Sequence, residues 1–573
     1  MDTKARIAAL AAECIQSLWP ETEGLPAAEE LRGLLAVPPD PALGDYAFPC
    51  FRLAKPLRQG PPKIAEALCA AWTREDVASV KPVNGYMNFF LNRTNFAAET
   101  MAALLEQGER YGSSDLGKGK TVCLDYSSIN IAKRFHIGHL STTMLGHSLK
   151  RIFGFLGYET VGINHLGDWG TQFGNMICAY KKWGSREAVE ERGIDEMTAL
   201  YVRFHQEAET DPALEDEGRA WFKKIEDGDP EAMEIFTWFK EITLKDAARV
   251  YDLLGVSFDS YAGESFYTDK MEPVIRELRE KGLLIESEGA QVVDLGDKMP
   301  PCMIIKSDGA TTYATRDLAA AFYRHNTYHF DKCLYVVAYQ QDLHFRQIFS
   351  VLEKMGCDWA KDCVHVSFGM VSFGGAALKT RSGNVVLLDD LLRQAVAKAR
   401  DIIEEKSPNL ENKDEVARQV GIGAVVYTDL SANRIKDIDF NWDRALNFDG
   451  ETGPYVQYTH ARCCSVLRKA GDLSGAAPDW SALTDDEAQS LLRLLSRFPD
   501  VVREAAEKYE PSMVTRAVTD IAQAYNKYYY EHRILDEDGD PAQSAARVAL
   551  TEATRNVIKT GLWLIGIEAP ERM

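Results

Sequence analysis

Three observations predict an α/β protein built on a doubly wound parallel sheet. From Thr121 onward, short apolar runs alternate with long amphipathic stretches; a different, mixed pattern precedes them; and unbroken helical periodicity follows residue 451 or so. The expected architecture therefore adds a small α+β domain in front of the sheet and an all-helical domain behind it. A chain of 573 residues is too long for a single core, so three or four domains are expected.

Residues 1–118 hold helix-like runs and then "NGYMNFFLN", which reads as a strand closing a small domain, with "YGSSDLGKGK" as the linker. Residues 119–375 open with the strand "TVCLDYSS", the helix "HIGHLSTTMLGHSLKRIFGFLGY" and the strand "YETVGINHLGD", the start of a βαβ unit. "KCLYVVAYQQ" and "DCVHVSFGMVSF" read as further buried parallel strands of the same sheet. A helix-rich insertion is expected at about 180–300, a loop and connecting stem at 376–450, and helices throughout 451–573.

Lys and Arg total 65 against 86 Asp and Glu, a net charge of −21, which excludes a protein that coats nucleic acid by bulk electrostatics. A specific nucleic-acid partner remains compatible with it. The 11 cysteines include no CxxC pair, so neither a disulfide framework nor a zinc site is expected. No stretch approaches the roughly 18 apolar residues of a membrane span, and the first residues lack the pattern of a signal peptide. A cytoplasmic chain is the expectation. No exposed heptad pattern suggests a coiled-coil partner, so a monomer is expected.

"SSINIAKRFHIGHLSTTMLGH" sets His136 and His139 at or just before a helix N-terminus, after a strand. Backbone N–H groups and the positive helix end favour phosphate there, and two imidazoles one turn apart add donors. Gly138 between them lets a flat base or ribose approach the backbone. As a bare pattern, H-x-G-H is matched as often by surface histidines capping a helix; its place at the first crossover favours a nucleotide. His147, two turns on, reads as a packed residue, and His165 as either a core or an edge residue. The spacing lacks the glutamate of a zinc-binding H-E-x-x-H, so no metal cluster is expected.

"HIGH" on this crossover resembles the signature of class I aminoacyl-tRNA synthetases. "DYSSINIAKRFHIGHL", "NHLGDWGTQFG", "YATRDLAAAFYR", "VAYQQDLHFRQ", "LKTRSGNVVLLDDLL" and "IGIEAPERM" together resemble the arginyl-tRNA synthetases of the bacterial type, over nearly the whole chain. The resemblance implies a Rossmann-like class I catalytic domain, an N-terminal domain touching the tRNA elbow and a helical anticodon-binding domain. It also implies the substrates L-arginine, ATP with magnesium, and arginine tRNA, no zinc, and a need for the tRNA before arginine is activated.

By the same resemblance His136, Gly138 and His139 bind ATP and act at its α-phosphate. The usual Lys-Met-Ser-Lys-Ser loop is replaced by "ALKTRSGN", which supplies Lys379 and Arg381 but no second signature lysine; Lys133 takes over that lysine's role at ATP. An arginine pocket needs planar acceptors for a guanidinium that offers five donors in a rigid fork. Tyr313 and Asp317, four apart and so on one helical face, match the family's pocket residues, as does Gln341. Ser128, Asn130 and His139 match those holding the amino-acid end. Tyr86, Asn88 and Phe89, and at the other end Tyr528, Tyr529 and Met573, are the expected tRNA contacts, with aromatics available for stacking on splayed bases.

Two rivals are another enzyme of the same sheet family and a silent relative that only binds. The Tyr313, Asp317 and Gln341 set weighs against the first. The intact histidine motif with Lys133 weighs against the second.

Overall fold

The structure, a computed structural model, describes residues 3–38, 40–74, 77–131, 134–297, 299–373, 386–471, 476–536 and 539–573. Two compact units divide the chain: residues 1–107, 470–493 and 528–553 form one, and 108–469, 494–527 and 554–573 the other.

The first unit contains an antiparallel sheet ordered β1 (Tyr46–Pro49), β3 (Tyr86–Leu91), β2 (Val77–Val83). Asn84 and Gly85, at φ 48° and 84°, make the two-residue turn between β2 and β3 that an Asn-Gly pair favours. Helices Thr3–Leu18 and Pro61–Ala71 bury Ile7, Ile15, Ile64 and Leu68 in this unit.

The second unit is organised by a four-stranded, wholly parallel sheet ordered β10 (Cys363–His365), β9 (Lys332–Tyr335), β4 (Thr121–Asp125), β5 (Glu159–Ile163). Cys123 lies opposite Cys333, and Cys333 opposite Cys363. Their side chains join Ile163, Phe330, Tyr335 and Phe345 in one buried cluster. From β4 the chain crosses to β5 on one side, and β9 returns on the other. The strand order thus reverses between β4 and β9, and in such sheets ligands bind outside the carboxyl ends at that point.

Five helices matter for the site: α1 (Leu140–Phe155), α2 (Pro230–Leu254), α3 (Tyr313–Tyr328), α4 (Asp342–Lys354) and α5 (Lys413–Leu430). The expected helical periodicity of the C-terminal region appears as helices Gly453–Ala470, Asp486–Lys508, Ser512–Glu531 and Pro541–Leu564.

Two expectations need correction. "DCVHVSFGMVSF" supplies β10 to the main sheet, but its second half, β11 (Val371–Phe373), pairs with β12 (Ile438–Phe440) in a separate parallel ladder. The chain is diverted at Gly369, which packs so close to Lys436 that a Cβ would lie 2.4 Å from that carbonyl oxygen. The helix-rich insertion also ends in a small antiparallel sheet, β6 (Leu284–Ser287), β7 (Ala290–Val293) and β8 (Cys302–Ile305). Its first turn is Glu288-Gly289, both at positive φ, a turn that a glutamate disguises in the sequence.

Candidate active site

The signature turn folds on its own imidazoles. His136 Nδ1 accepts the Gly138 N–H at 3.1 Å, and His139 Nδ1 accepts the His136 N–H at 3.2 Å, a reciprocal cap of the kind Ser and Glu usually make. The His136 cap leaves that ring's proton on Nε2, whereas His139 Nδ1 also lies 3.3 Å from the His136 carbonyl oxygen, to which it donates in the other tautomer. The two rings lie 3.9 Å apart between centroids. α1 begins at Leu140, directly behind them. The turn is also clamped from outside: Ile137 N–H donates to Val386 O at 3.0 Å, and Leu388 N–H to Phe135 O at 3.0 Å.

After β4 the chain makes a tight turn through Ser127 and Ser128, at φ 70° and 46°. Two consecutive left-handed non-glycine residues cost on the order of 1–3 kcal/mol each and persist only where the surroundings hold them. Ser127 N–H donates to Thr142 Oγ1 at 3.1 Å, its Oγ lies 2.8 Å from the Tyr251 hydroxyl on α2, and Ser128 Oγ donates to Asp125 Oδ1 at 2.8 Å. Asn130 bridges to Gly167, where a Cβ would stand 2.3 Å from Asn130 Oδ1. A side chain at this glycine of "NHLGDWG" would displace the exposed Asn130 side chain from where it now lies.

Four carboxylates occupy this edge, and their partners differ. Buried Asp125 pairs with buried Arg324 at 2.8 Å. Asp168, fully buried, pairs with Lys240 at 2.6 Å and accepts both the N–H and the Oγ of Ser265. Glu264 faces Arg316 at 3.4 Å; burial pushes its carboxyl up to about 7 against the pull of that guanidinium. Asp317, on α3, faces an imidazole instead: His344 Nε2, in the first turn of α4, donates to its Oδ2 at 2.5 Å. Burial raises the Asp317 pKa, but the His344 hydrogen bond and the nearby charges outweigh it and hold the carboxyl below its ordinary value. Arg316 and Arg324, the ion-pair partners Asp317 would take as an ordinary helix residue, are engaged by Glu264 and Asp125.

Tyr313 is the first residue of α3 and is 64% exposed, with the Arg316 guanidinium 4.8 Å from its ring centroid. Gln341 ends the short turn after β9 and is exposed. Ser128, Asn130, His136, Gly138, His139 and Gln341 thus sit on the segments that leave the carboxyl ends of β4 and β9, and Asp317, on α3 ahead of β9, joins them through His344 at the start of α4. Sequence reasoning missed His344, although it stands within "AYQQDLH" three residues past Gln341, at a helix start beside the sheet edge. Lys133, Lys379 and Arg381 lie outside the described residues.

His147 is buried, and burial lowers its pKa to about 3, so it is a neutral packed residue; burial likewise lowers that of His165. Among the expected tRNA contacts, Tyr86 is exposed, its ring edge-on to Phe51, and Tyr529 is 39% exposed. Asn88 and Phe89 are buried, Phe89 against Trp72, and Tyr528 is fully buried. Their burial withdraws these three as direct contacts, because a core side chain has no face to offer a base. Met573 packs partly buried beside Ile403, Val416 and Val420. One grouping the sequence did not suggest is Asp485, Glu487 and His532, whose ligand-type atoms lie within 4.8 Å of one another, with His532 paired to Asp485 at 3.2 Å.

The switch point of the parallel sheet opens onto an imidazole-capped helix start, and the chain around it is that of a class I aminoacyl-tRNA synthetase. Residues 100–442 match the family model for tRNA synthetases class I (R), catalytic domain, residues 5–91 the arginyl tRNA synthetase N terminal domain, and 456–573 the DALR anticodon binding domain. The chain is 53% identical to an arginine–tRNA ligase of Alkaliphilus metalliredigens, over 95% of this chain and 96% of the relative. To that of Clostridium perfringens it is 52% identical, over 95% and 97%. Among solved structures, the Thermus thermophilus arginyl-tRNA synthetase superposes with a TM-score of 0.83 at 26% identity, covering 100% of both chains. The arginyl-tRNA synthetase of Plasmodium falciparum shares the fold, with a TM-score of 0.81 at 23% identity over 99% of this chain and 98% of that one. The chain belongs to the arginyl-tRNA synthetase family. It is an enzyme, a ligase of class I, and the class uses ATP. No helix among the described residues is long and apolar enough to cross a membrane.

Proposed function

We propose that the enzyme activates L-arginine with magnesium-bound ATP and passes it to the 3′ end of arginine tRNA, with the residues gathered at the β4 and β9 edge in the following roles. A carboxylate oxygen of arginine attacks the α-phosphorus of ATP in line. A C–O–P anhydride forms, the bond between the α- and β-phosphates breaks, and pyrophosphate leaves with the electron pair. Little covalent work falls to the protein, so positioning and charge stabilisation carry the rate. His136 and His139 serve the second need through Nε2, the ring nitrogen their backbone caps do not use. Ser128, Asn130 and His139 hold the amino-acid end. In the second step the terminal ribose hydroxyl attacks the arginyl carbonyl carbon, the ester forms, and AMP leaves carrying the anhydride oxygen.

The observation that carries the reading is the pairing of the carboxylates. Asp125, Asp168 and Glu264 each face a cation of the chain, whereas Asp317 faces an imidazole. A substrate guanidinium supplies the positive charge and the fork that this carboxylate can take bidentately, with Tyr313 and Gln341, both exposed, as the further pocket residues the resemblance implies. Lysine lacks the fork and citrulline the charge, so both are rejected by leaving acceptors unpaired, while canavanine keeps the fork.

Lys133, Lys379 and Arg381 remain assigned to the phosphates, on the resemblance. Tyr86 and Tyr529, both exposed, carry the proposed tRNA contacts, with Met573 at the chain end and the neighbouring Tyr530, 86% exposed, added to them. The test is Asp317→Ala. Arginine-dependent pyrophosphate exchange should vanish while the melting temperature stays near that of the parent; exchange at the parental rate would remove Asp317 from the pocket.

A further inference from the structure

Asp429 stands near the end of α5, 7% exposed, and neither the arginine nor the ATP assignment uses it. Its Oδ1 accepts the Ser141 hydroxyl at 2.5 Å, while its Oδ2 is buried without a hydrogen-bond partner among the described residues. Ser141 is the second residue of α1, two positions after His139. Burying a carboxylate with one oxygen unsatisfied is costly. Burial pushes this carboxyl up to about 7, so near neutrality the fold keeps an ionisable group there at the expense of its own stability.

The turn that follows α5 is tied on several sides. Asn433 Nδ2 donates to Glu510 Oε2 at 2.9 Å, Arg434 Nη1 donates to Ser367 O at 2.8 Å, and the Gly369 N–H donates to Arg434 O at 2.8 Å. Between these last two lies Phe368, whose carbonyl accepts the Tyr339 N–H at 3.0 Å, at the start of the turn that carries Gln341. One end of α5 and its turn therefore brace both lips of the crevice: Ser141 behind the histidines, and Phe368 behind Gln341.

We propose that Asp429 is a positioning residue of the activation step, fixing through Ser141 the first turn of α1, and with it His136 and His139, relative to the Gln341 lip. This rests on the assignment of the two histidines to ATP. Asp429 touches no substrate; it acts by holding the helix that presents the donors, so its loss misplaces them in the transition state more than in the bound ground state.

The test is pyrophosphate exchange by the full-length enzyme with arginine and arginine tRNA present. Ser141→Ala and Asp429→Ala should each lower kcat about tenfold, with the KM for arginine within about twofold of the parent. The double variant should fall no further, since both changes remove one contact. Asp429→Asn should recover most of the rate, because its amide oxygen still accepts the Ser141 hydroxyl. If Asp429→Ala does not fold, Ser141→Ala and Asp429→Asn read the same contact. Parental kcat in Ser141→Ala, losses that multiply in the double variant, or no recovery in Asp429→Asn would each overturn the proposal. His139→Ala run alongside separates two failures: parental kcat there overturns the histidine assignment itself, whereas a slow His139→Ala beside a parental Ser141→Ala overturns only the brace.

Discussion

At the scale of single residues, the two histidines of the signature cap their own turn, and in the proposed function they also serve the chemistry. Each turns Nδ1 to the backbone of its own turn, so the cap uses that nitrogen and not Nε2. His139→Ala is expected to lower kcat roughly 100-fold or more, as loss of a transition-state donor does. A change confined to the KM for ATP would make it a ground-state binding residue instead. His344 holds one oxygen of Asp317, so His344→Ala should raise the KM for arginine about tenfold and leave that for ATP near the parent value, the loss of one charge-assisted hydrogen bond. Equal effects on both substrates would mean that His344 supports the fold and not the pocket. The histidine motif was legible because its spacing and its place after a strand are local. The His344 contact was not, because it joins residues 27 apart on two helices. The tyrosines were legible in principle. Val518, Ile521, Ala522, Tyr525 and Tyr528 recur at helical spacing and are all fully buried, which leaves Tyr529 and Tyr530 on the outer face.

At the scale of elements, the βαβ opening and the buried parallel strands were readable from continuous apolar runs, since strands covered on both faces have no polar side to alternate with. The departure of β11 was not, because it depends on how closely Gly369 packs against a segment nearly 70 residues away. The small sheet β6 to β8 escaped notice because four-residue strands carry too little pattern to stand out inside a helical insertion. The α1 to α5 contact makes a prediction of its own. The Asp429 carboxyl binds its proton more tightly in the folded chain, at about 7, than in the unfolded one. Its contribution to stability is thus fully present below about pH 4 and is lost as pH rises through about 7. The parent should lose up to about 4 kcal/mol across that window from this group, and Asp429→Asn should be spared that loss. Urea midpoints of both at about pH 5 and about pH 8 check it; the same pH dependence in the two proteins would contradict it.

At the scale of the whole molecule, a net charge of −21 sits on an enzyme of a family whose substrate is a polyanion. Even residues 454–573, which include the matched anticodon-binding domain, hold 14 Lys and Arg against 18 Asp and Glu. Such a charge leaves little bulk attraction for the tRNA, which is why the proposed function places recognition on local surfaces and exposed aromatics. Composition cannot say which aromatics face outward, or that the Asp317 carboxylate is held by an imidazole; both follow from how elements distant in sequence pack. The measurement that bears most directly on the whole account is exchange of labelled pyrophosphate into ATP, with arginine, lysine or neither, and with or without arginine tRNA. Exchange that requires arginine and the tRNA together is expected. No exchange under any combination, or exchange that lysine supports as well as arginine does, would contradict it.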